Sequence, residues 1–229
     1  MPPGRAIRIV VAGFGVLAGL AVIEHGVGEI LQGPVRPDRL IIQSWPEQAV
    51  FEPLGGEPAL IVIPNLLISG GAAVLVATAL AAWAVAGVHR RHGASILAVF
   101  SLVLLCVGGG FGPPLIGLIL ALGAIPVAVP GHRPGTVACS LARVWTWALA
   151  AGVAGYLGLV PGTLVAHALR VPPSAAVVYG LMVMAFAGLI MALVSARAHD
   201  RLRVWLTGRR GDASSSTSVN IPDSRPPRQ

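Results

Sequence analysis

The sequence predicts an all-α fold, a polytopic transmembrane helix bundle with six spans. Of the 229 residues, 55% are hydrophobic and only 11% are charged, whereas a soluble domain carries about a quarter charged residues. The apolar residues gather in long runs, and ~20 of them suffice to cross ~30 Å of hydrocarbon. Clusters of arginine separate the runs. This composition excludes an ordinary soluble globular domain.

The predicted spans follow the apolar runs in order. They cover residues 7–31, 59–88, 94–108, 114–129, 144–167 and 174–197, with an outer loop at 33–58. Residues 1–210 are expected to form one transmembrane helical domain. Residues 211–229 are polar and rich in serine and proline, so we expect a disordered cytoplasmic tail.

Spans 3 and 4 come from a single uncharged stretch, residues 93–131, which is too long for one helix. Glycines and prolines interrupt it, and such clusters end helices. The stretch therefore predicts two short helices joined by a turn. The turn residues are Gly108, Gly109, Gly110, Gly112, Pro113 and Pro114. Helices this short place the turn below the outer surface, where irregular backbone is tolerated only if protein covers it or it lines a cavity.

The basic residues predict the orientation. All sixteen are arginine, and with six spans three of them (Arg36, Arg39 and Arg170) fall outside while the other thirteen fall inside. Under the positive-inside rule this places both termini in the cytoplasm, at the inner membrane of a bacterial cell. An alternative is a cleaved signal peptide that begins at Arg5 and Arg8, leaving five spans. We expect the first span to be retained, because its apolar run continues past the cleavage site that this alternative requires.

The basic balance and one glycine motif suggest nucleotide or nucleic-acid binding, but the context opposes both. Gly13, Gly15 and Ala18 match the G-x-G-x-x-A dinucleotide fingerprint, which requires a second strand that ends in an acidic residue. Successive apolar spans follow instead. Gly15 and Gly19 form a G-x-x-x-G pair, which indicates close helix packing. No nucleic acid and no cofactor is expected; the expected partners are the lipid bilayer and a second copy or a membrane subunit.

Ionisable residues cluster at the outer end of the first span, where Glu24, His25 and Glu29 fall within six residues. His25 and Glu29 share a helix face. Such groups are costly at membrane depth and tend to face a bundle interior or a wet cavity. The alternative is a helix end that reaches the interface, where carboxylates are solvated.

Asn65 and His167 map to the same outer half, as does the glycine turn. Lone polar residues in spans usually bond a neighbouring helix. Their shared depth nevertheless predicts one outward-facing polar cavity, in which His25 and Glu29 face the turn. In this cavity the backbone amides of the turn are expected to donate hydrogen bonds to the carboxylate of Glu29.

These features favour a small transporter or channel-like protein that handles a proton, a cation or a small solute. The first alternative is a non-catalytic membrane subunit or assembly factor that docks a partner through glycine faces. Gly152, Gly155 and Gly158 in the fifth span favour close packing or self-association. The second is an intramembrane metalloenzyme with His25, Glu29 and His167 as metal ligands. No catalytic signature such as a Walker loop or HExxH occurs, so enzyme activity is not expected.

Overall fold

The computed structural model describes residues 4–46, 51–125 and 135–217, over which the chain forms six α-helices, a short 3-10 helix (Glu52–Leu54) and one pair of short strands. The helices are α1 (Arg5–Gln32), α2 (Leu66–Ala86), α3 (Gly93–Cys106), α4 (Gly112–Ala124), α5 (Thr136–Ala168) and α6 (Ala175–Thr217). The strands are β1 (Ile41–Gln43) and β2 (Pro58–Leu60), paired antiparallel with Ile42 opposite Ala59.

Four of these helices, α1, α2, α5 and the Ala175–Thr207 part of α6, are long and apolar enough to cross a membrane. The prediction of an all-helical chain with several helices long and apolar enough to span a membrane is confirmed. Large apolar side chains such as Leu75, Trp147 and Val183 are exposed on the helix surfaces. Exposed apolar surface of this extent is what a lipid environment covers, and it indicates a membrane location.

Helix α2 begins later than the sequence predicted. The predicted span started at residue 59, but residues 58–60 form β2 and the helix starts at Leu66. Pro64 disfavours helical geometry in the residue before it. Asn65 then caps the helix, because its side-chain oxygen accepts a hydrogen bond of 3.2 Å from the amide of Ile68.

Helices α3 and α4 are short, with 14 and 13 residues. The turn between them is narrower than predicted, since Gly112, Pro113 and Pro114 belong to the first turn of α4. Proline is tolerated there because the first helical amides have no partner within the helix. The predicted end of this span, at residue 129, lies outside the described residues.

Two other boundaries differ from the predictions. Helix α5 begins at Thr136, earlier than predicted, and contains a π-helical turn at Gly158–Gly162 around Pro161. A proline inside a helix removes one backbone hydrogen bond, and a wider turn accommodates that loss. Helix α6 continues to Thr217, so the predicted disorder does not begin at residue 211. Extending a formed helix adds a hydrogen bond for each residue fixed. Residues 218–229 lie outside the described part.

Helix α1 lies at the centre of the bundle. Of its apolar window 56% is buried, against 33% in each of the other three long helices. Gly15 packs against Ala84 of α2, and Gly19 packs against Ala81. A Cβ on either glycine would overlap its neighbour, which agrees with the close-packing interpretation of this motif rather than with a nucleotide site.

Helices α5 and α6 pack in the same way. Gly152 of α5 lies against Gly188 of α6, and Gly155 lies against Ala185. These antiparallel contacts leave no room for a side chain at either glycine of α5. The glycine face that suggested self-association is therefore used inside the chain.

Two charged side chains of α6 cap other helices at the end of the bundle where α1 begins. The amides of Ala6 and Ile7 donate to the carboxylate of Asp200, each at 3.1 Å. Arg197 donates to the last carbonyl groups of α4, at 2.7 Å for Leu122. A carboxylate at a helix N-terminus and a cation at a helix C-terminus both interact favourably with the helix dipole.

Candidate functional site

The carboxyl-terminal part of α1 is enclosed because its glycines admit neighbouring backbone. A Cβ on Gly26 would approach the carbonyl oxygen of Gly70 in α2 to 2.8 Å, and one on Gly28 would approach that of Ser44 to 2.6 Å. This close approach brings α2 and the α1–α2 connection (33–65, with 47–50 outside the described residues) over the helix. His25 and Glu29 are consequently buried, with 5% and 0% of their surface exposed.

The α1–α2 connection also covers the turn between α3 and α4. The amide of Gly108 donates to the carbonyl of Leu60 at 2.9 Å, and the amide of Val62 donates to that of Cys106 at 3.0 Å. The hydroxyl of Ser69 donates to the carbonyl of Val107 at 3.1 Å. These bonds satisfy backbone groups that the turn would otherwise leave without partners at depth.

Three consecutive left-handed residues in this connection place an acidic side chain beside His25. Gly55 and Gly56 have φ of 66° and 73°, and Glu57 has φ of 55°. Glycine adopts this conformation at no steric cost, whereas any other residue is strained in it by about 1–2 kcal/mol. Glu57 keeps that conformation although it carries a side chain, and it is 8% exposed.

Glu24, His25 and Glu57 form one group, called here the Glu–His–Glu cluster. Nδ1 of His25 lies 2.9 Å from the carbonyl oxygen of Ala21 and 3.4 Å from Oε2 of Glu24. On the other side of the ring, Nε2 lies 3.5 Å from Oε2 of Glu57. One donor atom from each of the three residues falls within 4.8 Å of the others. The group can therefore bind a proton or a cation between two carboxylates and an imidazole.

The carboxylates of this cluster lack ordinary hydrogen-bond donors. Three of their oxygens, both of Glu24 and Oε2 of Glu57, have no hydrogen-bond partner among the described residues. Burial raises the pKa of Glu57 to about 8, and the nearby imidazole of His25 partly opposes that rise. A buried carboxylate without donors is costly unless a positive charge or a proton compensates it.

Glu29 lies one turn further along α1, against the glycine turn. A Cβ on Gly108 would overlap its carboxylate, and a Cβ on Gly110 would overlap the imidazole of His25. The structure thus brings Glu29 and His25 against this turn. The expected pairing of Glu29 with the turn's amides is not seen. The amide of Gly108 donates instead to the carbonyl of Leu60 in the α1–α2 connection. Neither oxygen of Glu29 has a hydrogen-bond partner among the described residues.

A cavity of about 220 Å³ adjoins the cluster. His25 and Glu57 line it, and Tyr156 of α5 lies in its wall with its hydroxyl donating to the carbonyl of Leu17 at 2.8 Å. The remaining wall is apolar and comes from the start of α4, the π-helical turn of α5 and the first part of α6, including Phe111, Ile116, Leu159, Val160, Met182 and Phe186. The cavity therefore has an apolar body and one acidic corner.

Two predicted site residues lie elsewhere. Asn65 serves as the N-cap of α2. The ring of His167 is 3.3 Å from the carbonyl oxygen of Thr163 in its own helix. Neither belongs to the described residues that line the cavity. The metal-ligand set of His25, Glu29 and His167 is thus not the group that the structure assembles.

Sequence reasoning missed Glu57 and Tyr156. Glu57 is one of four acidic residues in the predicted outer loop, with Asp38, Glu47 and Glu52, and no periodicity separates it from them. The one local signal is the Gly55–Gly56 pair directly before it, which predicts a tight turn but not its direction.

The chain was compared with protein-family models, with curated proteins and with solved structures, and none of them matches it.

Proposed function

We propose that this chain is a small transporter or channel-like membrane protein that takes a cation, or a small solute with a cationic group, into the cavity beside the Glu–His–Glu cluster. One observation supports this above the others: two carboxylates converge on an imidazole at the wall of a cavity, and three of their oxygens, both of Glu24 and Oε2 of Glu57, lack hydrogen-bond partners among the described residues. Buried charges without partners are retained for binding or catalysis far more readily than for stability.

The proposal includes six spans, with both termini in the cytoplasm and the cavity on the outer side of a plasma membrane. Its support is the arginine distribution, thirteen inside against three outside. The short helices α3 and α4 then form a hairpin that ends inside the membrane. Irregular backbone at that depth is acceptable because the α1–α2 connection bonds to it. Broken or short helices of this kind commonly surround transporter binding sites.

The cavity's chemistry supports a cationic ligand over an anionic one. Glu24, Glu29 and Glu57 lie at or near one corner, and His25 is the single basic side chain among the described residues of that corner. The apolar wall gives no specific contact to a strongly hydrated ion. The acidic corner therefore determines which cation binds, and the apolar part of the cavity can hold a small hydrocarbon group.

The subunit interpretation has less support from the structure. It drew on Gly152, Gly155 and Gly158, and these residues contact α6 of the same chain. The acidic groups near the outer end of α1 are not presented on a surface where a partner would pair with them, since Glu29 and Glu57 are buried and the Glu24 side chain is only 20% exposed.

Thermal unfolding of the purified chain in detergent tests the proposal. The ligands are sodium, potassium, magnesium, manganese, zinc and a series of small alkylammonium ions. At a hundred times its dissociation constant a ligand stabilises a protein by about 2.7 kcal/mol. We expect one or more of these ions to stabilise the unmodified chain and Glu52→Gln, but not Glu57→Gln.

Glu52 is the matched control because it lies in the same connection and its side chain is exposed. Equal stabilisation of Glu57→Gln, or no response of the unmodified chain to any ion, would contradict the proposal. Uptake of the effective ion into proteoliposomes then separates transport from binding alone.

A further inference from the structure

The inference rests on the proposed function and names its cation. We infer that the Glu–His–Glu cluster is a binding site for a divalent transition metal of the zinc class, with His25 and one carboxylate oxygen each from Glu24 and Glu57 as ligands.

The donor set selects this class of ion. Alkali and alkaline-earth ions prefer sites built from oxygen alone, whereas imidazole suits zinc, copper, iron and nickel. Here an imidazole lies between two carboxylates. Zinc accepts both histidine nitrogen and carboxylate oxygen, and three protein ligands is the number found in zinc sites that bind a further molecule.

The imidazole is held in the orientation that metal binding requires. Nδ1 of His25 lies 2.9 Å from the carbonyl oxygen of Ala21, one turn earlier in α1. A proton on Nδ1 donated to that carbonyl leaves the lone pair on Nε2, which lies on the side of Glu57. Metal-binding histidines almost always donate the other ring nitrogen in this way, which fixes both tautomer and ring plane.

The spacing of the donors is close to that of a metal site. Ligands at ~2.0–2.2 Å from zinc in a tetrahedron lie about 3.4 Å apart. Nε2 of His25 and Oε2 of Glu57 are 3.5 Å apart, and all three residues offer atoms within 4.8 Å. Glu24 has to move, because its Oε2 lies 3.4 Å from Nδ1 and not beside Nε2. Its side chain, which is 20% exposed, is the least enclosed of the three.

An independent observation is the buried, unpartnered oxygen of Glu57. This residue is 8% exposed, and its Oε2 has no hydrogen-bond partner among the described residues while pointing at His25. A carboxylate kept only for structure would normally be satisfied by amides or hydroxyls. A cation between Glu57 and His25 supplies the missing partner.

The position of the cluster implies an open coordination site. A structural zinc site has four protein ligands, whereas a functional site has three and leaves the fourth to water or a substrate. Among the described residues the cluster supplies three, and His25 and Glu57 both line the cavity. The fourth position therefore faces a space of about 220 Å³, large enough for water or a small ligand.

Metal content of the full chain tests the site. The protein is produced without a polyhistidine tag, stripped with EDTA, incubated with zinc and desalted, and its zinc is measured by mass spectrometry. Visible absorption during a cobalt(II) titration reads the coordination of the same site. We expect about one zinc per chain, and an affinity at least 100-fold lower in Glu57→Gln and His25→Gln. The loss of a group that only hydrogen-bonds a metal ligand already costs about 10–100-fold.

The control variants distinguish a loss of zinc binding from a loss of folding. Glu52→Gln, with its exposed carboxylate, should bind zinc within twofold of the unmodified chain. If Glu57→Gln does not elute as a folded protein, Glu24→Gln provides the same test at a less buried position. Cobalt bands typical of four- or five-coordinate sites should appear in the unmodified chain and not in His25→Gln.

Three results would overturn the inference. If the unmodified chain retains no zinc while sodium or an alkylammonium ion stabilises it through Glu57, the metal assignment falls and the proposed function stands. If zinc is retained equally by Glu24→Gln, His25→Gln and Glu57→Gln, the ion lies elsewhere, for example at His89 and His92. If no ion of any class acts through Glu57, both proposals fail.

Discussion

The carboxylate of Glu29 occupies the space that a side chain at position 108 would fill. Gly108 also has φ of +86°, and its amide is bonded to Leu60. Gly108 therefore permits the sharp turn, donates a backbone hydrogen bond and leaves room for the buried carboxylate. Two distant parts of the chain depend on each other at this point, because the helix can bury Glu29 only where the turn has no side chain.

We expect Gly108→Ala to lower the free energy of unfolding by about 3 kcal/mol. The left-handed backbone contributes about 1–2 kcal/mol, and crowding of the carboxylate contributes about 1–3 kcal/mol. Chemical unfolding in detergent measures the difference. Gly71→Ala is the matched control, because Gly71 lies inside α2 and a Cβ there meets nothing within 4 Å. This substitution should be neutral or slightly stabilising.

A double-mutant cycle separates the two terms. Adding Glu29→Ala to Gly108→Ala removes the crowding but leaves the backbone strain. The two substitutions should therefore couple, with the double variant less destabilised than the sum of the single variants. Simple additivity would mean that the contact between Glu29 and the turn carries no energy.

The six helices of the described residues were predictable from the sequence because they depend on local signals. Runs of apolar residues, the arginine clusters and the glycine–proline stretch at 108–114 each report on their own neighbourhood. The same local rules located His25 and Glu29 on one face of α1. The turn's proximity to that face was also an expectation from depth, and the structure places both side chains against it.

The rest of the site depends on contacts between distant residues, and this is why sequence reasoning missed it. Glu57 reaches His25 only because β2 pairs with β1 and continues onto the α3–α4 turn through the bridge between Ile61 and Val107. No local pattern encodes that pairing. For the same reason Asn65 and His167 were grouped by depth alone, although each bonds within or next to its own helix.

The cap that Asp200 provides to α1 predicts a second stability effect. Both carboxylate oxygens accept amide hydrogen bonds from the first turn of α1, and they oppose the helix dipole. Asp200→Ala should lower the free energy of unfolding by about 1–2 kcal/mol, and Asp200→Asn should lower it less. Asp38→Ala is the control, because Asp38 is exposed in the α1–α2 connection. An equal effect of both alanine variants would argue against the cap.

The orientation is tested by labelling in intact cells. In a chain whose Cys106 and Cys139 are replaced by serine, a membrane-impermeant maleimide should modify Gln43→Cys and spare Ser215→Cys. The expectation follows from the arginine distribution, with thirteen inside and three outside. After the membrane is permeabilised, both positions should react. Labelling of Ser215→Cys in intact cells would reverse the proposed topology and place the cavity on the cytoplasmic side.

The strained backbone of Glu57 predicts a conflict between stability and ligand binding. Glu57→Gln and Glu57→Gly both remove the carboxylate, but only glycine relieves the left-handed conformation at φ of 55°. Relief of about 1–2 kcal/mol, less about 0.5–1 kcal/mol for the greater chain entropy of glycine, leaves a gain of about 0–1.5 kcal/mol. Unfolding without ligand should therefore rank the glycine variant above the glutamine variant, while neither responds to zinc.

Arg170 supplies the control for this comparison, because it is the other residue besides glycine that has positive φ among the described residues, at 59°. It lies after α5, outside the described residues that line the cavity. Arg170→Gly should gain stability over Arg170→Gln by a similar amount, and both should keep the full response to zinc.

If Glu57→Gly is no more stable than Glu57→Gln while the Arg170 pair shows the difference, the backbone at position 57 is not strained. The conformation of Glu57 then belongs to the tight turn rather than to the binding site. A gain at both positions, with zinc binding lost only at 57, would show that the strain at Glu57 is retained because it holds a ligand in place.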